Sequence, residues 1–494
     1  MIKIHLFLFV FILIVAACSS QTTTGIKVGL DSAPVTLDPR FATDAVSYRI
    51  TRLIYKSLID FDEQYQVVPD LASWEQLALN HYRFTLGDQY RVFHDGTRLT
   101  SADIKASYES VLNPENASPH KSSIKMIESM VLIDNDTIEF KLSQDDPLFP
   151  GRLVIAILPM HLIEQGHKFN REPIGSGSFR FSDWEDYSRL KLVRVHDKQL
   201  IEFIAIKDPT VRVLKLLRGE IDLVQGNLSP EIVKWLDDKE SIQVKRKQGS
   251  TFAYIGFNME DEKTGDSRVR TAIAHAIDRD AIIEHVMGDS ARKAGAMFPP
   301  DHWAGNPALT GAEYEPEKAR ALLKQAGYDK NSPLKLNYKT SNNPFRLRLA
   351  TIIQDQLKSV GIIVDIHSYD WGTFYGDIKA GRFQMYSLSW VGLQMPDIFR
   401  YVFHSTTVPP NGANRGRFVN AQVDSLIETA EKEPMLSKQA AYYRELQQIL
   451  FDAMPYVPLW YEDNVLAMRN NIDGYTLSSD GNFDSLEHTV RVNR

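Results

Sequence analysis

Residues 334–366 constrain the fold more than any other stretch of this chain. Leu334-Lys335-Leu336-Asn337-Tyr338 alternates like a strand, and residues 346–360 carry apolar side chains at helical spacing and stop at Gly361. Ile362-Ile363-Val364-Asp365-Ile366 then reads as a buried strand. Strand, helix and strand in that order make a βαβ unit, whose crossover is right-handed and whose parallel sheet must be covered by helices. The spacing thus predicts an α/β domain in the later half. Neighbouring helices fit it. Asp266-Ser267 caps a helix with Val269, Ile273, Ala276 and Ile277 on one side and Arg268, Thr271, His275 and Asp278 on the other, which puts His275 in solvent. Pro316 suits a first helical turn, and residues 319–326 end at Gly327, a natural residue past a helix end. Two more helices are expected at 423–433 and 438–453.

The first half reads differently. Ile26-Lys27-Val28-Gly29-Leu30 is a strand, a turn follows at 31–34, and residues 46–58 have helical spacing. Short alternating runs at 74–93 and 131–142 imply an antiparallel sheet with one solvated face, so residues 61–170 form a separate α+β unit.

The N-terminus places the chain outside the cytoplasm. Lys3 precedes twelve apolar residues, 6–17, the layout of a signal-peptide core and too short to span a bilayer as a helix. Val15-Ala16-Ala17-Cys18 resembles a bacterial lipobox, which implies removal of residues 1–17, lipid on Cys18 and a polar tether over 18–24. The other reading is a cysteine inside a leader cut elsewhere. Cys18 is the one cysteine in 494 residues, so the mature core holds without disulfides or thiolate metal sites.

Charge and motif spacing narrow the function. The 63 acidic and 56 basic residues give a net charge of -7 with no long run of either sign, which disfavours a nucleic-acid groove and suits small solutes. Thirteen histidines supply no compact metal-ligand set. Gly175-Ser176-Gly177-Ser178 lacks the spacing of a nucleophile elbow and reads as a tight turn, while Asp145-Asp146 reads as a solvated loop. Asn116-Ala117-Ser118 is a glycosylation sequon by pattern alone. No catalytic residue, metal site or cofactor is expected. What remains is an aromatic concentration with few charges, including Trp371, Tyr386 and Trp390, where core and ligand-pocket roles compete. Trp390-Val391-Gly392 would set a ring beside a glycine whose backbone can approach a ligand.

Taken in order, short motifs resemble the solute-binding proteins of peptide-type ABC importers (family 5), which include dipeptide and oligopeptide binders. Leu37-Asp38-Pro39 is similar to the family's opening, followed by Val68-Pro69-Asp70-Leu71-Ala72 and Trp74-Glu75. Phe93-His94-Asp95-Gly96-Thr97 with Leu99-Thr100-Ser101-Ala102-Asp103-Ile104 is similar to its signature, and Pro173-Ile174-Gly175-Ser176-Gly177 to its later glycine-rich turn. Arg218-Gly219-Glu220-Ile221-Asp222, Phe257-Asn258, Arg268-Val269-Arg270 with Ala276-Ile277-Asp278-Arg279, and Ala326-Gly327-Tyr328 follow in the expected sequence.

The resemblance implies an α/β, two-lobed periplasmic binding protein of type II character with an extra α+β domain inserted in lobe one. Mapped here, lobe one is 25–60, 171–255 and 470–494, the insert 61–170 and lobe two 256–469, with crossing strands near 251–258 and 465–475. It further implies a monomeric, membrane-anchored receptor on the periplasmic or cell-surface side. Such a receptor captures a peptide-like solute in the interlobe cleft and passes it to an ABC permease; nucleic acid has no part. A saccharide, metal chelate or haem-like ligand, or a sensor lipoprotein uncoupled from transport, are the alternatives.

Two departures from the family stand out. Its Asn-x-x-Tyr-Trp segment is missing, since His196-Asp197-Lys198-Gln199 leads almost directly to the next strand. In peptide binders a Gly-Trp-x-x-Asp motif supplies the acid that pairs the peptide ammonium, and here Ser389-Trp390-Val391-Gly392-Leu393 puts leucine at that place. Leu393→Asp is then expected to improve peptide binding. Asp397 is the nearest substitute acid, or else the cap of the helix that follows; Arg400 is either an anion ligand or solvated. The expected ligand-binding set is Trp371, Tyr386, Trp390, Gly392, Leu393, Asp397 and Arg400.

Overall fold

The computed structural model describes residues 25–288 and 290–492; the leader and Cys18 lie outside the described residues. An eleven-stranded sheet runs through the molecule, and its strand order shows how the chain is divided. At one end Leu334–Ser341 pairs in parallel with Ile362–Tyr369 and Met385–Trp390. At the other end Ile26–Leu30 pairs in parallel with Leu200–Ala205 and Leu223–Gln225. Two long antiparallel strands, Ile242–Phe257 and Tyr456–Arg469, join the two parallel groups. The chain is therefore two α/β lobes on one continuous sheet.

The segments read as crossing strands at 251–258 and 465–475 overlap these two longer strands. Their ladder slips between the pairs Lys247 with Asn464 and Thr251 with Glu462, so residues 248–250 bulge out of register. Gly249 is required there. A Cβ on it would collide with the Glu462 carbonyl oxygen.

Each lobe buries apolar residues on both faces of its sheet, as parallel sheets must. Ala253, Ile255 and Phe257 point into one core of the second lobe, and Phe252 and Tyr254 into the other. Leu466 and Met468 enter the core beneath the first lobe, while Ala467 faces the smaller cluster opposite. In the βαβ unit Gly361, at φ +96°, makes the left-handed turn that releases the helix Pro344–Ser359 into the next strand. That strand, expected to be buried, is the sheet edge and shows one face to solvent, with Ile363 exposed.

Between the early strands lies a four-stranded antiparallel sheet, ordered Ala72–Ala78, His81–Leu86, Thr137–Leu142, Ile127–Leu132. Tyr82, Phe84, Ile138 and Phe140 alternate onto the helix Ser101–Leu112, which answers with Ile104, Tyr108 and Val111. The motif residues brace this α+β insert internally through Asp103 and tie it to the first lobe through His94. The Asp103 carboxylate accepts from the Thr100 N–H at 2.8 Å and from the Met160 N–H at 2.8 Å. His94 donates its N–H to the Gly175 carbonyl at 2.8 Å, and its ring Nε2 lies 2.9 Å from the Gly177 carbonyl. Gly175 and Gly177 thus meet a constraint other than the tight turn expected of them. Neither has positive φ, and each packs against the Leu53 to Ile54 backbone, where a Cβ would collide.

Two further expectations are corrected. His275 is 7% exposed, not solvated, because the helix Pro316–Gln325 packs over it, and its Nδ1 bonds the Glu313 carbonyl at 2.8 Å. Asp146 is buried, because Arg152 turns back to pair with it at 2.6 Å.

Candidate functional site

In open α/β sheets a ligand site forms beyond the carboxyl ends of the strands, where successive loops diverge. In the second lobe those ends are Ser341, Tyr369 and Trp390. Two helices start there, Pro344–Ser359 capped by Asn343 and Trp371–Ala380 capped by Asp370. Between them opens a cavity of about 220 Å³ lined by Thr340, Arg346, Trp371, Ser389, Val391 and Trp460. Trp371 is 59% exposed at its mouth and stacks on Tyr375, centroids 5.4 Å apart and planes within 8°. Val391 is half exposed beside it. Two residues past Arg346 on the same helix, Arg348 crosses to Glu231 on the first-lobe helix Pro230–Asp237 at 2.6 Å, so this helix meets the first lobe.

Charge at the site is paired. Arg346 holds Glu462 with two parallel bonds of 2.6 and 2.9 Å, and the Ser389 hydroxyl lies 3.5 Å from the same carboxylate. Burial alone would raise the Glu462 carboxyl, but the guanidinium outweighs it and holds the group below the usual range, so Glu462 is ionised at neutral pH. Arg346 thus lines the wall as a cation already neutralised by Glu462, beside a broad apolar face. Such a wall suits a small zwitterionic or amide-rich solute. Among the described residues no three His, Cys, Asp or Glu side chains group as a metal site.

The expected ligand-binding residues divide into three groups. Trp371 lines the cavity, and Trp390 and Gly392 do not line it but flank the lining Val391 in the chain, Gly392 at φ +68° with open space around its Cα. Tyr386 and Leu393 point the other way. Tyr386 is fully buried with its ring on Gly256, and Leu393, 5% exposed, belongs to the apolar cluster of Phe298 and Phe399. Asp397 and Arg400 are engaged elsewhere. Asp397 makes no side-chain cap bond and instead accepts from Arg152 of the insert at 3.0 Å, while Arg400 pairs with Glu431 at 2.7 Å. Sequence reasoning missed Arg346, Ser389 and Glu462. A usable signal for Arg346 was its place in the first turn after Asn343-Pro344, directly beyond a parallel strand.

Other contacts also bridge the insert and the second lobe. Met395 packs onto Gly151, and the rings of Tyr65 and His302 lie 4.7 Å apart. His302 is 2% exposed and satisfied as a neutral ring, its Nδ1 accepting from the Ala304 N–H and its Nε2 facing the Gln394 carbonyl. Burial lowers its pKa to about 4. The unfolded chain therefore takes up this proton first as pH falls. Stability is full above pH ~6.5 and declines between ~6.5 and 4, by about 3 kcal/mol in all from this group. Chemical denaturation at pH 7 and pH 4.5 is expected to show that loss in the native chain and a smaller one in His302→Gln.

Two α/β lobes on shared crossing strands, with a cavity beside those strands at the strand ends of the second lobe, define the class of two-lobed extracellular binding proteins. The chain belongs to the bacterial extracellular solute-binding proteins, family 5, whose middle-region model matches residues 66–409. It is 28% identical over 502 residues to the di/tripeptide-binding protein 2 of Pseudomonas aeruginosa strain UCBPP-PA14, covering 94% of each chain. The structure of the oligopeptide-binding protein AppA of Bacillus subtilis, in complex with a nonapeptide, matches with TM-score 0.82 and 25% identity over 95% of this chain and 99% of that one. That of NikZ from Campylobacter jejuni, in complex with Ni(L-His), has TM-score 0.83 and 24% identity over 94% and 99%.

Proposed function

We propose that this protein captures a peptide or peptide-like solute between its lobes and delivers it to an ABC permease, making and breaking no bond. The observation that carries the reading is the cavity at the strand ends, with an indole at its mouth and Arg346, paired with Glu462, on its wall. Lobe one is 25–60, 171–255 and 470–494, the insert 61–170 and lobe two 256–469. The lobes pivot at the out-of-register bulge of residues 248–250, the wider of the two register shifts in the crossing ladder. Ligand favours the closed form because it touches both lobes there, and the closed form docks on the permease. Lipid on Cys18 holds the monomeric receptor at the membrane.

A second reading, a non-peptide solute in the same cleft, is favoured by Leu393, which supplies no acid for a peptide ammonium. Small-angle scattering of the full chain titrated with defined di- to pentapeptides separates the two. A smaller radius of gyration on adding peptide supports the first reading. Calorimetric silence and an unchanged radius with every peptide tested count against it.

A further inference from the structure

Buried arginines in this protein end on oxygen atoms that carry negative charge or a full carbonyl dipole. Arg270 bonds the carbonyls of Met454, Thr264, Gly265 and Ala453, and burial lowers its pKa to about 10. Arg194 pairs with Asp197 at 2.6 Å. Arg415 differs. It is 6% exposed, and its guanidinium bonds two neutral phenols, Tyr254 at 3.2 Å and Tyr375 at 3.1 Å, under the Trp390 ring at 4.7 Å. Among the described residues no carboxylate pairs with it.

The surroundings hold donors and no anion. A phenol that accepts from a guanidinium keeps its own O–H to donate. The indole N–H of Trp390 is buried without a hydrogen-bond partner, and the buried hydroxyls of Tyr386 and Tyr456 have only neighbouring phenols beside them. Tyr456 stacks on Tyr254 at 3.9 Å and Tyr386 packs edge-on to it at 5.9 Å, so these hydroxyls belong to one cluster. An enclosed cation with spare donors around it costs free energy until an acceptor with negative charge arrives. The position fits delivery by a ligand, since Tyr254 also lines the cavity, Tyr375 carries the Trp371 indole, and Trp390 lies beside the open backbone at Gly392.

We propose that Arg415, with the hydroxyls of Tyr254 and Tyr375, is the subsite for a carboxylate of the captured solute, and that Trp390 covers it. This rests on the reading that the cavity takes a solute, and it names that solute's class as an organic acid. Trp390 is then a cover over a charge pair, a role its place in the sequence did not reveal.

The test is titration calorimetry of the purified full chain with two pairs of probes: Ala-Phe-Ala and its C-terminal amide, and N-acetyl-phenylalanine and its amide. A charged hydrogen-bond pair at this depth should make each acid bind at least about tenfold more tightly than its amide. In Arg415→Gln that preference should vanish, and Arg415→Lys, which keeps the charge without the fork, should retain part of it. Tyr375→Phe removes one hydroxyl at a half-buried position and should reduce the preference several-fold, a readout that survives if the arginine variants do not fold. Acids and amides binding alike, the same preference in Arg415→Gln, or no binding of either acid would each overturn the assignment. Binding of N-acetyl-phenylalanine without binding of the tripeptide supports the carboxylate subsite while removing the peptide reading.

Discussion

Leu393→Asp is expected to lower stability by about 3–5 kcal/mol and to create no peptide-binding acid. The side chain at 393 points into the cluster of Phe298, Phe399 and Tyr443, away from the cavity, and is 5% exposed. A carboxylate there loses the leucine's apolar burial and finds no cation; Arg152 and Arg400, the arginines named nearby, are already paired with Asp146, Asp397 and Glu431. Chemical denaturation at neutral pH checks this directly. A stable Leu393→Asp protein with improved tripeptide affinity would mean that this loop turns its residue 393 into the cleft.

Trp371→Ala is the opposite kind of change. The indole is largely solvent-exposed at the first turn of its helix, so its removal should shift stability by under about 1 kcal/mol. Ligand affinity should fall by about 2–3 kcal/mol, roughly 30- to 150-fold, because a large aromatic wall covering a bound solute acts as a hot spot. Calorimetry with any solute the native chain binds measures the loss. Trp460 supplies the contrast: it lines the same cavity but is 1% exposed, so truncating it should damage the core as well as the site.

These two residues show what the sequence could and could not convey. The βαβ unit was legible because its signals are local. Strand, helix and strand were expected at 334–338, 346–360 and 362–366 and are found at Leu334–Ser341, Pro344–Ser359 and Ile362–Tyr369. The motif order was legible for the same reason, and the bonds between His94 and the Gly175 and Gly177 carbonyls give those motifs a structural purpose. Side-chain destinations were not legible. Asp397 meets Arg152, Arg346 meets Glu462 and Arg415 meets Tyr254 across 245, 116 and 161 residues. Nothing within a helical turn of any of them announces the partner. Asp397 and Arg400 looked available because their neighbours in sequence are apolar, and they are engaged because the insert and the helix Ala421–Lys432 fold against them.

The site also explains how a chain lacking the acid of the peptide-binding motif can still serve a charged ligand. Arg346, neutralised by Glu462, lies on the wall of the cavity, and Arg415 is a cation bonded to two phenols and paired with no carboxylate among the described residues. A solute that satisfies either must enter where the strands end.

The most direct test of the central claim is to purify the full chain gently from its host, denature it, and identify by mass spectrometry any small molecule released in stoichiometric amount. The expected result is a peptide-like solute bearing a carboxylate, which rebinds the refolded chain in a one-to-one ratio. Release of a neutral compound without amide bonds, or of nothing that rebinds from a peptide pool, would contradict the assignment of this cleft to an acidic, peptide-like ligand.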